Sequence, residues 1–161
     1  MTGGAWSLPE VRQLLRVLAV GRACAEVGTS DGGGAAAIAE KARSLVTVEL
    51  DPERAAAARA RLAGLGHVEL LVGDWREELR GRGPFELLFF DGGAWKGDPE
   101  AEGAQLAVDL LAAGGLLVAD DFTPGRPGPD PAREFLFGHP QLVASEVQVT
   151  PEMAVILAAR V

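Results

Sequence analysis

The chain is 161 residues long, enough for one domain with a buried core. Its 48% hydrophobic and 24% charged residues are the balance of a globular protein, and no apolar run approaches the roughly 20 residues of a membrane span. A net charge of −8 argues against a nucleic-acid partner, and one cysteine, Cys24, excludes an intramolecular disulfide.

In chain order, Ser7-Leu-Pro-Glu10 reads as a helix start, with Ser7 as cap, Pro9 in the first turn and Glu10 reaching back to the Ser7 amide. Val11, Leu14, Leu15 and Leu18 follow at helical spacing and stop at Gly21. Ala23 to Val27 is a strand that breaks into Gly28-Thr-Ser-Asp-Gly-Gly-Gly34, and Ala35 to Arg43 is an alanine-rich helix. Leu45 to Leu50 is the second strand, and Asp51-Pro52 caps a helix running to about Ala63. Val68 to Val72 is the third strand, ending at Gly73-Asp74, with at most a short helix over Glu77 to Leu79.

Phe85 to Phe90 is a fourth strand, apolar on both faces as a central parallel strand should be. Asp98-Pro99 starts another helix, with Leu106, Leu110 and Leu111 as its stripe and Gly114-Gly115 as its stop. Leu116 to Ala119 is a fifth strand, followed by a Pro/Gly-rich loop and a helical turn around Arg133 to Phe137. Leu142 to Val149 and Ala154 to Val161 are closing strands, and Pro151-Glu152 between them predicts an antiparallel pair.

This rhythm predicts a single α/β domain, with a leading helix at 7–21, a ligand-binding core at 22–121 and an acceptor-side loop and closing strands at 122–161. The expected architecture is a Rossmann-like, doubly wound, seven-stranded sheet, mostly parallel with an antiparallel C-terminal strand. Ligands on such sheets sit beyond the carboxyl ends of the strands. That rule selects the segment Gly28 to Gly34, Glu49, Asp74, Asp91 and the pair Asp120-Asp121.

Small residues in a strand-to-helix loop let a ligand approach the backbone, where the helix offers amide donors. The loop is no phosphate-binding P-loop, because alanine follows Gly34 where Lys-Ser/Thr would be needed. The dinucleotide pattern G-x-G-x-x-G also fails, since Ser30 occupies the place of its second glycine. Glu49 ends the second strand, where α/β nucleotide binders place an acid on ribose hydroxyls. The alternatives at these positions are an empty glycine turn and a solvated strand-end acid.

The stretch Ala25-Glu-Val-Gly-Thr-Ser-Asp-Gly-Gly-Gly34 resembles motif I, E-x-G-x-x-x-G, of class I S-adenosylmethionine (SAM)-dependent O-methyltransferases of the catechol and caffeoyl-CoA type. Val46 to Pro52, Gly73-Asp74-Trp75, Leu87 to Asp91 and Gly114 to Asp121 are similar to the family's later motifs, in order. The resemblance implies a methyltransferase acting on a small-molecule hydroxyl. It implies Gly28, Thr29 and Ser30 around the methionine part of SAM, within a loop that includes Gly32 and Gly34. Glu26 would orient the loop or the cofactor's amino group, Glu49 would hold the ribose, Leu50 beside it would be a further cofactor contact, and Gly73, Asp74 and Trp75 would border the adenine.

In metal-dependent members of the family an Asp ends the fourth strand and an Asp-Asn pair the fifth. Asp91, Asp120 and Asp121 stand there, an oxygen set suited to Mg²⁺ or Ca²⁺. Asp121 replaces the usual Asn, and Gly34 replaces a serine that helps to bind the SAM carboxylate. Asp91 and Lys96 are the catalytic candidates, although Lys96 is offset from the family's lysine and also reads as a solvated side chain. A homodimer is a further expectation by resemblance, and no membrane partner or leader peptide is expected in a cytoplasmic protein. Arg76, Arg80 and Arg82 read as a solvated helix end and loop. Two competing readings are a nicotinamide-dependent oxidoreductase and a non-catalytic domain that binds SAM or its product.

Overall fold

A computed structural model of the chain describes residues 7–91 and 102–161. The described residues form a seven-stranded sheet in the order β3-β2-β1-β4-β5-β7-β6. The strands are β1 (Ala23–Val27), β2 (Ser44–Glu49), β3 (Val68–Val72), β4 (Phe85–Phe90), β5 (Leu111–Phe122), β6 (Leu142–Gln148) and β7 (Ala154–Arg160). β1 to β5 pair in parallel, whereas β7 runs antiparallel to both β5 and β6. The doubly wound, mostly parallel sheet predicted from the alternation is therefore the fold.

Alternation along β4 divides the core into two layers. Leu87 and Phe89 face α1 (Pro9–Leu18), α2 (Gly33–Ala39) and α3 (Pro52–Leu62) through Leu15, Ile38 and Leu62. Leu88 and Phe90 face the opposite layer of α4 (Trp75–Glu78), α5 (Glu102–Asp109) and α6 (Pro131–Gly138), through Leu79, Val108 and Leu136. With both faces covered, β4 has no solvated side, which is why it reads as an unbroken apolar run.

Local capping chemistry sets several helix starts. Asp51 accepts from the Glu53 and Arg54 amides ahead of α3, as the Asp51-Pro52 pair predicts. Asp74 and Asp130 cap α4 and α6 in the same way. Ser7 does not cap α1: Leu8 occupies the cap position without a side-chain bond, and Ser7 is buried with its carbonyl accepting from Arg12 Nε (2.9 Å). Pro9 at the first helical position has no amide, which removes one of the donors that a helix start leaves unsatisfied.

The transition from α5 to β5 also differs from the sequence expectation. The helix ends at Asp109, and Leu111 already pairs with Phe85 as the first residue of β5. Gly114 and Gly115 are not a helix stop but lie inside the strand. Between the pairs Phe85↔Leu111 and Leu87↔Leu116 the register slips, and Gly114 (φ +74°) takes up the extra residues as a bulge. At Gly115 a side chain would strike the Phe85 carbonyl oxygen, 2.8 Å from the Cβ position. The start of the α5 helix at Asp98-Pro99 lies outside the described residues.

Candidate functional site

The ends of β1 to β4 open into one solvent-facing cleft of about 230 Å³, lined as a ligand site would be by apolar side chains with a few convergent polar groups. Gly28 and Ser30 from the glycine loop, Glu49 and Leu50 after β2, Gly73, Asp74 and Trp75 after β3, and Asp91 after β4 all line it. Val27, Val48, Arg54 and Arg76 complete the wall. The two valines follow from the strand-end rule. The two arginines carry no comparable sequence signal, and only the packing of α3 and α4 turns them toward the cleft.

Loop and acid are directly coupled. Ser30, held at φ +51°, donates its amide to Glu49 Oε2 (2.7 Å), and the Asp51 amide donates to Glu49 Oε1 (3.0 Å). Glu49 is 6% exposed, so both carboxylate oxygens serve the backbone at the rim of the cleft. Gly28 (φ +91°) turns the chain so that its amide and that of Thr29 both donate to the Val48 carbonyl. Gly32, at φ +85°, packs on Ala58 and Arg61, and Asp31 accepts from the Gly33 amide (3.0 Å).

Four predicted site residues lie beneath the loop rather than on the cleft wall. Glu26 and Thr29 are buried, with their side chains directed at Thr47: the Thr47 hydroxyl donates to Glu26 Oε2 (2.5 Å) and pairs with the Thr29 hydroxyl (2.6 Å). Burial pushes the Glu26 carboxyl well above its usual range against the opposing Thr47 bond, and the charges of Asp91, Glu49 and Asp31 add to the rise. Gly32 and Gly34 open α2, where Gly34 is fully enclosed by Glu26 Oε1, Phe89 and Ser7. Its lack of a side chain is therefore a packing requirement, because a Cβ there would overlap the Glu26 carboxyl. Thr47 was not a candidate in the sequence, since a threonine inside a strand is ordinary.

At the β3 end, Asp74 Oδ1 accepts from the Arg76 amide (2.8 Å), and its Oδ2 lies 3.3 Å from the Arg76 guanidinium. Trp75 is only 5% exposed, packs edge-on against Phe90 (centroids 5.1 Å apart, 87°) and carries the Arg76 guanidinium 5.3 Å above its ring. It is both a core aromatic and part of the cleft wall. Its buried Nε1 has no hydrogen-bond partner among the described residues.

Asp91, Asp120 and Asp121 come together as the strand ends require, each with an oxygen within 4.8 Å of the others. Asp91 is half-buried, Asp120 buried and Asp121 exposed, and the Asp121 amide donates to Asp120 Oδ1 (2.8 Å). Asp121 adopts φ +64°, a conformation that non-glycine residues rarely hold and that Asp tolerates better than most. Asp91 belongs both to this cluster and to the cleft. Lys96 lies outside the described residues. Cys24 is buried in β1, which pushes its thiol up to about 12. No helix among the described residues is long and apolar enough to cross a membrane.

The chain is similar to known methyltransferases in sequence and in fold. The chain is 35% identical over 104 residues to a protein-L-isoaspartate O-methyltransferase of Rhodopseudomonas palustris (strain BisB5), covering 63% of the chain and 45% of the relative. A protein of the same name from Methanoculleus marisnigri is 35% identical over 112 residues, covering 68% and 45%. The chain thus spans about half the length of these curated relatives. Among solved structures, cofactor-bound Rv0187 from MTB superposes with a TM-score of 0.82 at 25% identity, covering 97% of this chain and 81% of that one. The O-methyltransferase TomG from Streptomyces achromogenes, in complex with SAM, gives 0.78 at 25% identity over 99% and 83%. Residues 25–122, from β1 to the end of β5, match the family described as "Methyltransferase domain". On that match, which spans the cleft and the acidic cluster together, the chain belongs to the methyltransferase-domain family.

Proposed function

We propose that this chain is a SAM-dependent methyltransferase that methylates a hydroxyl oxygen of a small molecule. The observation that carries the reading is the convergence of Gly28, Ser30, Glu49, Asp74, Trp75 and Asp91 from four strand ends on one cleft. In this reading the Gly28–Ser30 backbone holds the methionine part of the cofactor. Glu49 accepts from the ribose hydroxyls, while Leu50, 73% exposed at the rim, and Trp75 give apolar contact to the adenine. Methyl transfer is a direct displacement, so holding the acceptor oxygen in line with the methyl carbon supplies most of the rate.

The acidic cluster suits a divalent cation, because it offers only carboxylate oxygens, close together and at graded exposure. Asp91, Asp120 and Asp121 would hold Mg²⁺ or Ca²⁺. Bound there, the cation would lower the pKa of an acceptor hydroxyl. Asp91, shared between the cluster and the cleft, would place that hydroxyl near the cofactor.

Calorimetric titration with S-adenosylhomocysteine, with NAD⁺ in parallel and with or without Mg²⁺, tests the proposal. Micromolar binding of S-adenosylhomocysteine and none of NAD⁺ is expected. Binding of NAD⁺ alone would overturn the reading and make the glycine loop a divergent dinucleotide site. A second reading, a carboxyl acceptor on a protein, is favoured by the names of the two curated relatives. Methyl transfer to an isoaspartyl peptide but not to a catechol would select it. Transfer to neither, despite cofactor binding, would favour a non-catalytic binding domain.

A further inference from the structure

Beneath the cofactor loop runs a short chain of buried polar groups that joins three segments. Glu26 in β1 and Thr47 in β2 are direct partners in the parallel register, and Thr29 is the second residue of the loop after β1. Their exposures are 1%, 0% and 2%, and none of the three lines the cleft. Thr47 has one hydroxyl hydrogen. If that hydrogen lies on Glu26 Oε2 (2.5 Å), the Thr29 hydroxyl must donate to Thr47 (2.6 Å). Both bonds are then made in a consistent direction, from loop to carboxylate.

Burying three polar groups brings no obvious gain in stability. Valine has almost the shape of threonine, favours strands equally well and has no hydroxyl to desolvate. What the hydroxyls add is direction. Thr29 is tied from its side chain, while its amide donates to the Val48 carbonyl (3.3 Å) and its carbonyl accepts from Gly32 (2.8 Å). Ser30, the next residue, is the one whose strained backbone points its amide at Glu49. On the far side, Glu26 Oε1 rests against Gly34 in the first turn of α2. The buried chain therefore meets both ends of the loop, by a hydrogen bond at Thr29 and by packing at Gly34.

We infer that Thr47 is a positioning residue for the cofactor loop, acting through Glu26 and Thr29 to fix the loop before the cofactor arrives. The inference rests on the reading of the cleft as a SAM site. A loop already ordered loses less freedom on binding, so the hydroxyl chain acts on cofactor affinity.

The test is calorimetric titration of S-adenosylhomocysteine into the full chain and its variants, with a thermal melt of each. Thr47→Val should raise the Kd about tenfold while remaining folded. Thr47→Ser, which keeps the hydroxyl, should bind within about twofold of wild type, a rescue that a purely space-filling role would not produce. Folded Thr47→Val with wild-type affinity, or Thr47→Ser as impaired as Thr47→Val, would overturn the inference. Should Thr47→Val not fold, Thr29→Val leaves the Glu26–Thr47 bond in place. It should show the same loss and recover in Thr29→Ser, and wild-type affinity there would be equally fatal. Absence of binding by the wild-type chain would remove the cofactor reading and this inference with it, whereas wild-type binding with unaltered variants removes the inference alone.

Discussion

A single methyl group placed on Gly34 probes the packing on which the glycine loop rests. Gly34 is the second residue of α2, and there alanine would ordinarily gain about 0.5–1 kcal/mol through its higher helix propensity. The surroundings oppose that gain. The new Cβ would lie 3.2 Å from Phe89 Cε1 and overlap Glu26 Oε1, two side chains with 0% and 1% exposure. Overfilling a closed site costs about 1–3 kcal/mol. If the Glu26 carboxyl retreats, its bond from Thr47 breaks inside the core at a further cost of about 1–3 kcal/mol. The net is a destabilisation of about 3 kcal/mol, a fall in Tm of roughly 6–12 °C for a domain of this size. Gly34→Ser, which would restore the serine of the resembling family, should fall comparably. Differential scanning calorimetry at pH 7 reads both variants. If Gly34→Ala melted at or above the wild-type temperature, the argument from close packing would be wrong and propensity would govern the site.

Glu49→Ala should weaken S-adenosylhomocysteine binding by about 1–3 kcal/mol, roughly 5- to 150-fold in Kd by titration calorimetry, because it frees the Ser30 amide and removes the ribose acceptor. Unchanged affinity would mean that the ribose lies elsewhere. Burial raises the folded pKa of Glu26 well above the ordinary glutamate value of 4.5, so the buried carboxyl contributes most below that pH. That contribution is lost as pH rises toward the folded value. Glu26→Gln should accordingly gain in Tm relative to wild type between pH 4 and pH 8, and a pH-independent difference would contradict it. With its thiol near 12, Cys24 should resist iodoacetamide at pH 8 in the native chain and react fully in 6 M guanidinium. Rapid native labelling, followed by mass spectrometry, would refute its burial. Chelation with EDTA should abolish methyl transfer and Mg²⁺ should restore it, and full activity in chelator would remove the cation from the proposed mechanism.

The α/β alternation, the apolar fourth strand and the Asp51-Pro52 helix start are legible in the sequence because each leaves its pattern within a few consecutive residues. The set of strand-end residues that meet in the cleft is nearly as legible. A parallel sheet puts all its carboxyl ends on one side, so Glu49, Asp74, Asp91 and Asp120-Asp121 are brought near one another by topology alone.

Tertiary structure alone decided what each carboxylate and each glycine does. Glu26 and Glu49 are both acids near strand ends. One is sealed under α2 against Gly34 and Thr47, while the other faces the cleft at the Ser30 amide. Leu111 looks like helix and is strand, because Phe85, 26 positions earlier, offers it a ladder partner across a glycine bulge. Thr47 has no signature at all, since its importance comes from two partners 21 and 18 residues away. Local patterns choose helix or strand and mark where the chain turns. Burial and partnership are set by elements distant in sequence, and these give a carboxylate, a hydroxyl or a missing side chain its role.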